Sequence, residues 1–281
     1  MRIIESVSDM QSVADEFRAS DRKIGLVPTM GYFHEGHLEL MRTAAKQTDV
    51  VVASIFVNPT QFGPGEDLGR YPRDFDGDVR KAGSAGVEVI FAPTVEEMYP
   101  SGFQTRVRVE KVTKHLCGLS RPVHFEGVTT VVCKLFNCVK PDAAVFGEKD
   151  FQQLVVIERM VTDLNMDIRI LGVPVQRELD GLAMSSRNAY LNGDERRSAL
   201  SLFKSLELAK RLYNGGERNA EIIRDAVLDL ISSHPFTLVD YVELCDPVSL
   251  EEVKVLEGKT LLALAVNVGR TRLIDNCILG R

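Results

Sequence analysis

The chain has 281 residues, of which 44% are hydrophobic and 26% are charged, an ordinary composition for a globular protein. This length exceeds that of a typical single hydrophobic core, so two domains are expected. The formal net charge of −6 argues against a broad surface for nucleic acid or for an anionic membrane, although a local basic pocket for a small anion is compatible with it.

The cysteine content and the N-terminus predict a soluble protein of the cytoplasm. The five cysteines are odd in number and form no Cys-x-x-Cys pair. Cys133 and Cys138 lie in an apolar helical run and are interpreted as reduced core residues. Residues 1–5 lack the apolar stretch of a signal peptide, and no apolar run reaches membrane-spanning length.

Short β-branched runs alternate with helical patterns through the first two-thirds of the chain. This alternation predicts an α/β domain with a parallel sheet covered on both faces. Ligands of such sheets lie beyond the carboxyl ends of the strands. The predicted strands are residues 23–29, 50–57, 87–91, 143–146 and 168–173, and the predicted helices are residues 37–48, 74–85, 128–139 and 151–164.

The pattern changes after Pro174. Residues 177–192 are polar and rich in turn formers, and helices followed by adjacent strands then predict a smaller α+β domain with antiparallel pairing. We place the boundary near Gln176, which gives domains 1–176 and 177–281. The predicted C-terminal helices are residues 194–213 and 218–232, and the predicted strands are residues 238–245, 260–268 and 271–279.

His34 and His37 form the most informative local pattern. They stand where a predicted strand passes into a predicted helix, a junction that suits a phosphate chain. Gly31 and Gly36 allow a phosphate to approach the backbone, and the helix start offers N–H groups and a partial positive charge. The alternatives are a surface loop and a zinc site, but no third ligand stands at a recognisable metal spacing.

Residues 56–62 place polar side chains after the next predicted strand. Asn58 and Gln61, flanked by aromatic residues, could orient the hydroxyl and carboxylate groups of a small ligand. The alternative is a simple loop in which Asn58 caps a turn. The two interpretations are equally supported by this segment alone.

Residues 146–153 follow a third predicted strand. Gly147 ends that strand, and Lys149 stands at a helix start, where an ammonium group can neutralise phosphate charge. Gln153 follows one helical turn later. The alternative is that Asp150 caps the helix while Lys149 is a solvated charge.

Residues 180–188 form a fourth polar cluster. Ser185, Ser186 and Arg187 could together hold phosphate oxygens, since arginine donates in a planar fork; a surface turn is the alternative. Arg121 and His124 could contact an anion or could serve local structure only. Residues 63–73 contain three glycines and two prolines and are interpreted as a mobile loop that could act as a lid.

These clusters, in this order and spacing, resemble pantoate–β-alanine ligases that form AMP. The segments that carry the resemblance extend from Pro28 to Asn188 and read PTMGYFHEGH, FVNPTQF, YPRDF, RPVHFEGV, FGEKDFQQL and DGLAMSSRN. The His-x-Gly-His element by itself would indicate only the wider nucleotidyltransferase superfamily. The resemblance implies a Rossmann-like nucleotidyltransferase domain with a small C-terminal domain that closes over the active site.

The resemblance also implies the reaction and its residues. Pantoate and ATP would form pantoyl adenylate and pyrophosphate, and β-alanine would then release AMP and pantothenate. ATP would enter as a substrate with Mg²⁺, without a tightly bound organic cofactor or a protein metal site. The catalytic residues would be His34, His37, Lys149 and Arg187. The ATP-binding residues would be Met30, Gly31, Tyr32, Phe33, His34, Glu35, Gly36, His37, Gly147, Glu148, Lys149, Asp150, Gln176, Met184, Ser185, Ser186 and Arg187. Pantoate would be bound by Asn58, Gln61 and Gln153, and β-alanine by Gln61.

The chain departs from the family pattern at four positions, which are Tyr32, Phe33, Val123 and Gln176. None of them removes a group that the chemistry needs, so an active enzyme is expected. The resemblance further implies a homodimer and no nucleic-acid or membrane partner. The alternatives are another adenylate-forming enzyme or nucleotidyltransferase on the same scaffold, and a nucleotide-binding regulator without catalysis.

Overall fold

A computed structural model describes residues 1–280, and the chain divides into two compact units. The first unit comprises Met1–Glu110, Arg121–Glu148 and Gln153–Pro174. The second comprises Lys111–Ser120, Lys149–Gln152 and the chain from Val175 onward. Two short segments that precede Pro174 thus belong with the C-terminal residues. The division into domains 1–176 and 177–281, with the second closing over the active site, stays a prediction.

The first unit contains a six-stranded sheet in which every neighbouring pair is parallel. The strands are β1 Arg2–Ile4, β2 Ile24–Thr29, β3 Val50–Ile55, β4 Val89–Phe91, β5 Ala143–Gly147 and β6 Arg169–Val173. Their spatial order is β1-β4-β3-β2-β5-β6. This arrangement confirms the predicted α/β class.

Helices cover both faces of this sheet. Successive side chains of a strand point to opposite faces, and apolar side chains on both faces are buried under the helices. Val50 and Val52 of β3 join one hydrophobic cluster, whereas Val51 and Ala53 join another. The first cluster includes residues of the helices at 7–19, 124–139 and 151–163, and the second includes residues of the helices at 35–47 and 75–84. The helices up to residue 163 are α1 Val7–Ala19, α2 Glu35–Gln47, α3 Phe75–Ser84, α4 Val95–Met98, α5 Cys117–Ser120, α6 His124–Val139 and α7 Phe151–Asp163.

The second unit has its own antiparallel sheet and hydrophobic core. The strands β7 Thr237–Cys245, β8 Thr260–Val268 and β9 Thr271–Leu279 pair in the order β7-β8-β9. The helices α8 Gly193–Asn214 and α9 Ala220–Ser232 contribute side chains to the same core. The small α+β architecture is therefore confirmed.

Two N-terminal elements were missed by the sequence analysis. The strand β1 has only three residues and pairs with β4, too short a run to show alternation. The helix α1 carries a readable signal, because Ser6 accepts a hydrogen bond from the Asp9 N–H and Met10, Ala14 and Phe17 are buried at helical spacing. The helix α6 begins at His124, four residues before its predicted start.

No helix within residues 1–280 combines the length and the apolar character needed to cross a bilayer.

Gly127 allows α6 to approach the loop after β3 very closely. A Cβ atom at this position would lie 2.5 Å from the Thr60 carbonyl oxygen and 2.6 Å from the Gln61 nitrogen. Both are backbone atoms of the 3₁₀ helix Pro59–Gln61, so they cannot move aside as a flexible side chain could. The packing of these two elements therefore requires glycine at this position.

We expect Gly127→Ala to lower the free energy of unfolding by about 1–3 kcal/mol, because it overpacks a rigid contact. Gly83→Ala is the matched control, since a Cβ on this glycine of α3 would meet only the Met1 Cε atom, at 3.8 Å. It should be neutral or stabilise by up to ~1 kcal/mol. Thermal and urea unfolding measure both variants, and equal effects would contradict the role of Gly127.

Candidate active site

The carboxyl ends of β3, β2 and β5 lie next to one another at one edge of the sheet. The pairing of β2 with β3 continues to Thr29 and Ile55, the last residue of each strand. The Phe56 N–H then donates to the Thr29 carbonyl at 3.0 Å, so the two following loops leave the sheet side by side. The expected convergence is confirmed for these loops: Gln61 Nε2 lies 3.2 Å from Met30 Sδ.

The loop after β2 brings the two histidines together at the start of α2. His34 is the residue before the first turn, with extended backbone angles, and His37 lies within that turn. The centroids of their rings are 4.1 Å apart, and the His34 N–H lies 3.4 Å from His37 Nδ1. The predicted strand-to-helix junction is therefore present, and both imidazoles stand where helix N–H groups and the helix dipole favour an anion.

Asp78, which the sequence analysis missed, fixes the backbone of this loop. Its carboxylate is buried on α3 and accepts hydrogen bonds from the N–H groups of Tyr32 and Phe33 at 2.7 and 2.6 Å. Lys81 Nζ donates to the Phe33 carbonyl at 2.8 Å. Burial raises the pKa of Asp78, outweighing the backbone hydrogen bonds and the Lys81 charge, which lower it.

Tyr32 stands in the left-handed region with φ of 55°. A non-glycine residue there costs on the order of 1–3 kcal/mol unless the surroundings hold it. The bond from its N–H to Asp78 supplies that support. Val123, another departure from the family pattern, has φ of −94°, which suits any L-residue. This position therefore does not require glycine.

Asn58 and Gln61 lie in the loop after β3, and both are almost fully buried. The Asn58 side chain accepts a hydrogen bond from the Thr60 N–H, so the capping interpretation is confirmed. Asn58 Nδ2 also donates to Gln61 Oε1 and to the Gly127 carbonyl, both at 3.1 Å. The cap thus orients the Gln61 amide as well, and the orientation of a ligand by Asn58 and Gln61 stays a prediction.

Arg121 and His124 hold the same loop from outside. The Arg121 guanidinium donates to both carboxylate oxygens of Glu66 at 2.7 and 2.6 Å and to the Gln61 carbonyl at 3.2 Å. His124 Nδ1 lies 2.9 Å from that same carbonyl. Burial would raise the pKa of Glu66, but Arg121 outweighs it and the pKa is lowered. These contacts give both residues a structural role and attach loop 63–73 at Glu66.

In the second unit, residues 176–188 form a braced loop that carries the predicted serines and arginine. The Gln176 carbonyl accepts from the Met184 N–H at 2.9 Å. Ser185 Oγ accepts from the Arg187 N–H at 3.3 Å, and Ser186 is buried. The Asn188 amide donates to Glu178 Oε1 at 2.7 Å. The polar turn is therefore an ordered loop.

The brace of this loop is an ion pair with β9. Arg177 donates to both oxygens of Asp275, at 2.6 and 2.9 Å, and the Asp275 side chain is only 1% exposed. The next residue, Asn276, donates from its side chain to the Lys149 carbonyl at 2.9 Å. Two consecutive residues of β9 therefore contact Arg177, near the start of loop 176–188, and the backbone of Lys149.

Lys149 and Asp150 lie in the 3₁₀ turn Glu148–Asp150, directly before α7. Lys149 Nζ lies 3.3 Å from Asp150 Oδ2. Gln152, not selected from the sequence, is buried and ties residues 112–117 through hydrogen bonds to Cys117 N and to the Val112 and His115 carbonyls. Gln153, the predicted pantoate residue, is half-buried on α7 in the first unit.

The fold and the site indicate the class of protein. It is an α/β protein with a small additional α+β unit, and a histidine loop at the carboxyl edge of its parallel sheet is suited to binding an anion. The family model described as pantoate-beta-alanine ligase matches residues 2–278. A pantothenate synthetase of Geobacter sulfurreducens is 58% identical over 280 residues, covering 100% of this chain and 99% of the relative. That of Syntrophobacter fumaroxidans is 60% identical over 279 residues, covering 99% of each.

Solved structures agree. A pantothenate synthetase from Thermus thermophilus superposes with a TM-score of 0.93 at 42% identity, covering 99% of both chains. A pantoate-beta-alanine ligase from Francisella tularensis, complexed with beta-gamma ATP and beta-alanine, gives a TM-score of 0.82 at 32% identity, covering 99% of this chain and 97% of that one. The chain therefore belongs to the pantoate–β-alanine ligase family, and it is a ligase.

Replacing Asp78 with Asn should disturb the histidine loop, because an amide has one acceptor oxygen for two backbone N–H groups. We expect the KM for ATP to rise about tenfold and the free energy of unfolding to fall by about 1–3 kcal/mol. The control Asp76→Asn changes an exposed carboxylate of the same helix. Steady-state kinetics and urea unfolding measure both variants, and equal behaviour would contradict the role of Asp78.

The same variant should show a characteristic pH dependence. The pKa of Asp78 is raised in the folded protein, so the folded chain holds this proton at a higher pH than the unfolded chain does. The stabilisation from protonation is present at acid pH and lost as the pH rises through the raised pKa. We expect the stability difference between the wild type and Asp78→Asn to narrow from acid to neutral pH in urea titrations.

Asp275→Asn should destabilise the second unit by about 3 kcal/mol, because it leaves the partly buried Arg177 without its charged partner. The matched control is Asp194→Asn, which breaks an exposed pair with Arg197 and should cost less than about 0.5 kcal/mol. Thermal unfolding compares the two variants. Equal shifts in Tm would show that the Asp275 pair contributes no more than a surface pair.

Proposed function

We propose that the chain catalyses the ATP-dependent condensation of pantoate with β-alanine through a pantoyl adenylate. A pantoate carboxylate oxygen attacks the α-phosphorus of ATP, and the bond to pyrophosphate breaks. The β-alanine amine then attacks the acyl carbon, and AMP leaves. Family membership over residues 2–278 carries the proposal, and the ligands named for the Francisella tularensis relative agree with it.

His34 and His37 are proposed to bind the α-phosphate as neutral hydrogen-bond donors. Their adjacent rings at the start of α2 support this role, because the helix dipole disfavours a protonated imidazole there. Charge that builds on the phosphoryl oxygens needs stabilisation more than it needs a proton. Met30 to His37 would wrap the phosphates, with the backbone of Tyr32 and Phe33 held by Asp78.

Lys149 and Arg187 are proposed to supply the positive charge that the triphosphate needs, together with Ser185 and Ser186. The segment of Lys149 and the loop of Arg187 are both held by neighbouring residues of β9, Asn276 and Asp275, which supports a shared role for the two cations. Gly147, Glu148, Asp150, Gln176 and Met184 would complete the ATP site. The substrate would be the magnesium complex of ATP, with Mg²⁺ held mainly by the phosphates.

Asn58, Gln61 and Gln153 are proposed to bind pantoate, with Gln61 also near β-alanine. The burial of Asn58 and Gln61 beside the Met30 loop supports a site for a small polar acid. A homodimer located in the cytoplasm, without nucleic-acid or membrane partners, completes the proposal. Sedimentation of the purified chain tests the dimer.

ATP–pyrophosphate exchange tests the reaction. We expect exchange that depends on pantoate and needs no β-alanine, because the adenylate forms first. Exchange with an amino acid instead would favour another adenylate-forming enzyme, and no exchange with any acid would favour a nucleotide-binding regulator.

In the same assay, His37→Ala should lose adenylate formation, and His37→Gln should retain more activity because its amide still donates. His234→Gln, at the end of α9, is the control.

A further inference from the structure

We propose that Tyr99 is a positioning residue that, through Asn58, turns the Gln61 amide so that its N–H groups face the acid substrate. The inference deepens the proposed function, because it rests on the binding of pantoate by Gln61. It names Tyr99, which no sequence motif selected, and it fixes the polarity of the contact. Gln61 would donate a hydrogen bond to a carboxylate or hydroxyl oxygen of the substrate and would not accept one from it.

The contact of Tyr99 with Asn58 is short and part-buried. Tyr99 follows α4, and its hydroxyl lies 2.8 Å from Asn58 Oδ1 and 3.3 Å from Thr60 Oγ1. Burial raises the pKa of Tyr99, so the phenol keeps its proton and can donate. A hydrogen bond from Tyr99 to the amide oxygen of Asn58 is therefore the arrangement that the geometry favours.

The Asn58 amide has a partner for each of its polar groups. Its Oδ1 accepts from the Tyr99 hydroxyl, from Thr60 Oγ1 at 2.9 Å and from the Thr60 N–H at 3.3 Å. Its two N–H groups go to Gln61 Oε1 and to the Gly127 carbonyl. Reversing the amide would set oxygen against the Gly127 carbonyl oxygen and NH₂ against the Thr60 N–H. Only one orientation is therefore compatible with its surroundings.

This orientation determines what Gln61 can offer. Its Oε1 already accepts from Asn58 Nδ2 at 3.1 Å. Its Nε2 lies 3.2 Å from Met30 Sδ, and a thioether is only a weak acceptor. The amide N–H groups of Gln61 are thus the part of this buried side chain that a stronger acceptor can engage. An oxygen of a small hydroxy acid has that chemistry.

The Tyr99 ring has a separate packing role that a test must preserve. The ring lies 6.2 Å from Phe56 and 5.1 Å from Phe103, centroid to centroid, and Lys134 Nζ stands 5.9 Å from its centroid. Tyr99→Phe keeps these contacts and removes only the hydroxyl. The variant therefore separates positioning from packing.

We expect Tyr99→Phe to raise the KM for pantoate about three- to tenfold, the usual effect of one lost hydrogen bond. The KM for ATP should change less than twofold, and Tm by only a few degrees. Pantoate-dependent ATP–pyrophosphate exchange gives both KM values. Tyr241→Phe, which removes the hydroxyl of a half-buried tyrosine on β7 of the second unit, should leave the KM for pantoate unchanged.

A double-mutant cycle tests whether Tyr99 acts through Gln61. Adding Tyr99→Phe to Gln61→Ala should not raise the KM for pantoate further, because the amide to be oriented is gone. Gln61→Glu should weaken pantoate binding at least as much as Gln61→Ala, since the carboxylate can only accept. Additive effects, or retained affinity in Gln61→Glu, would overturn the proposal.

The remaining outcomes are also distinguishable. An unchanged KM for pantoate in Tyr99→Phe, or equal rises for pantoate and ATP, would overturn the role of Tyr99 while the wild-type exchange still supports the function. If the wild-type protein shows no pantoate-dependent exchange, that result would contradict both the proposed function and the role of Tyr99.

Discussion

The pairing of β2 with β3 up to their last residues is the constraint on which the candidate site depends. Because Thr29 and Ile55 are register partners, the histidine loop and the Asn58 loop begin at the same edge and in adjacent positions. Beyond that point the two segments leave the sheet, and their N–H and carbonyl groups need other partners. Buried side chains have to supply them, since an unpaired buried polar group costs on the order of 1–3 kcal/mol.

Asp78 and Asn58 meet this need in similar ways. Asp78 comes from outside the loop that it stabilises, and both of its oxygens accept from backbone N–H groups. Asn58 stands at the first turn of its own loop, and its amide oxygen accepts from the Thr60 N–H. The loops therefore keep one conformation even where Tyr32 adopts a left-handed backbone. The proposed adenylate chemistry would require preorganisation of this kind, because donors that are already aimed at a phosphate cost no rearrangement during the reaction.

The sequence alone predicts the strands whose side chains are buried on both faces of the sheet. It does not predict residues whose role depends on contacts with distant parts of the chain. The runs at residues 50–57 and 143–146 read as strands because a covered parallel strand is almost continuously apolar. β1 was missed because three residues carry no period. Asp78 lies in an acidic helix start and Tyr99 in a short polar segment, so their pairing with distant groups left no local pattern. Arg121 was ambiguous until Glu66 was found beside it.

The residues proposed to act in the reaction are of different kinds in the two units. In the first unit the proposed donors are the imidazoles of His34 and His37, acting as neutral groups, and the amide of Gln61, while Arg121 is paired with Glu66. The proposed cations, Lys149 and Arg187, both belong to the second unit. A carboxylate held by a cation is a weaker nucleophile than one held by neutral donors, because the cation stabilises the charge that must attack. Under the proposed mechanism, neutral amides at the acid site would keep pantoate reactive, while the cations would stabilise the pyrophosphate that leaves.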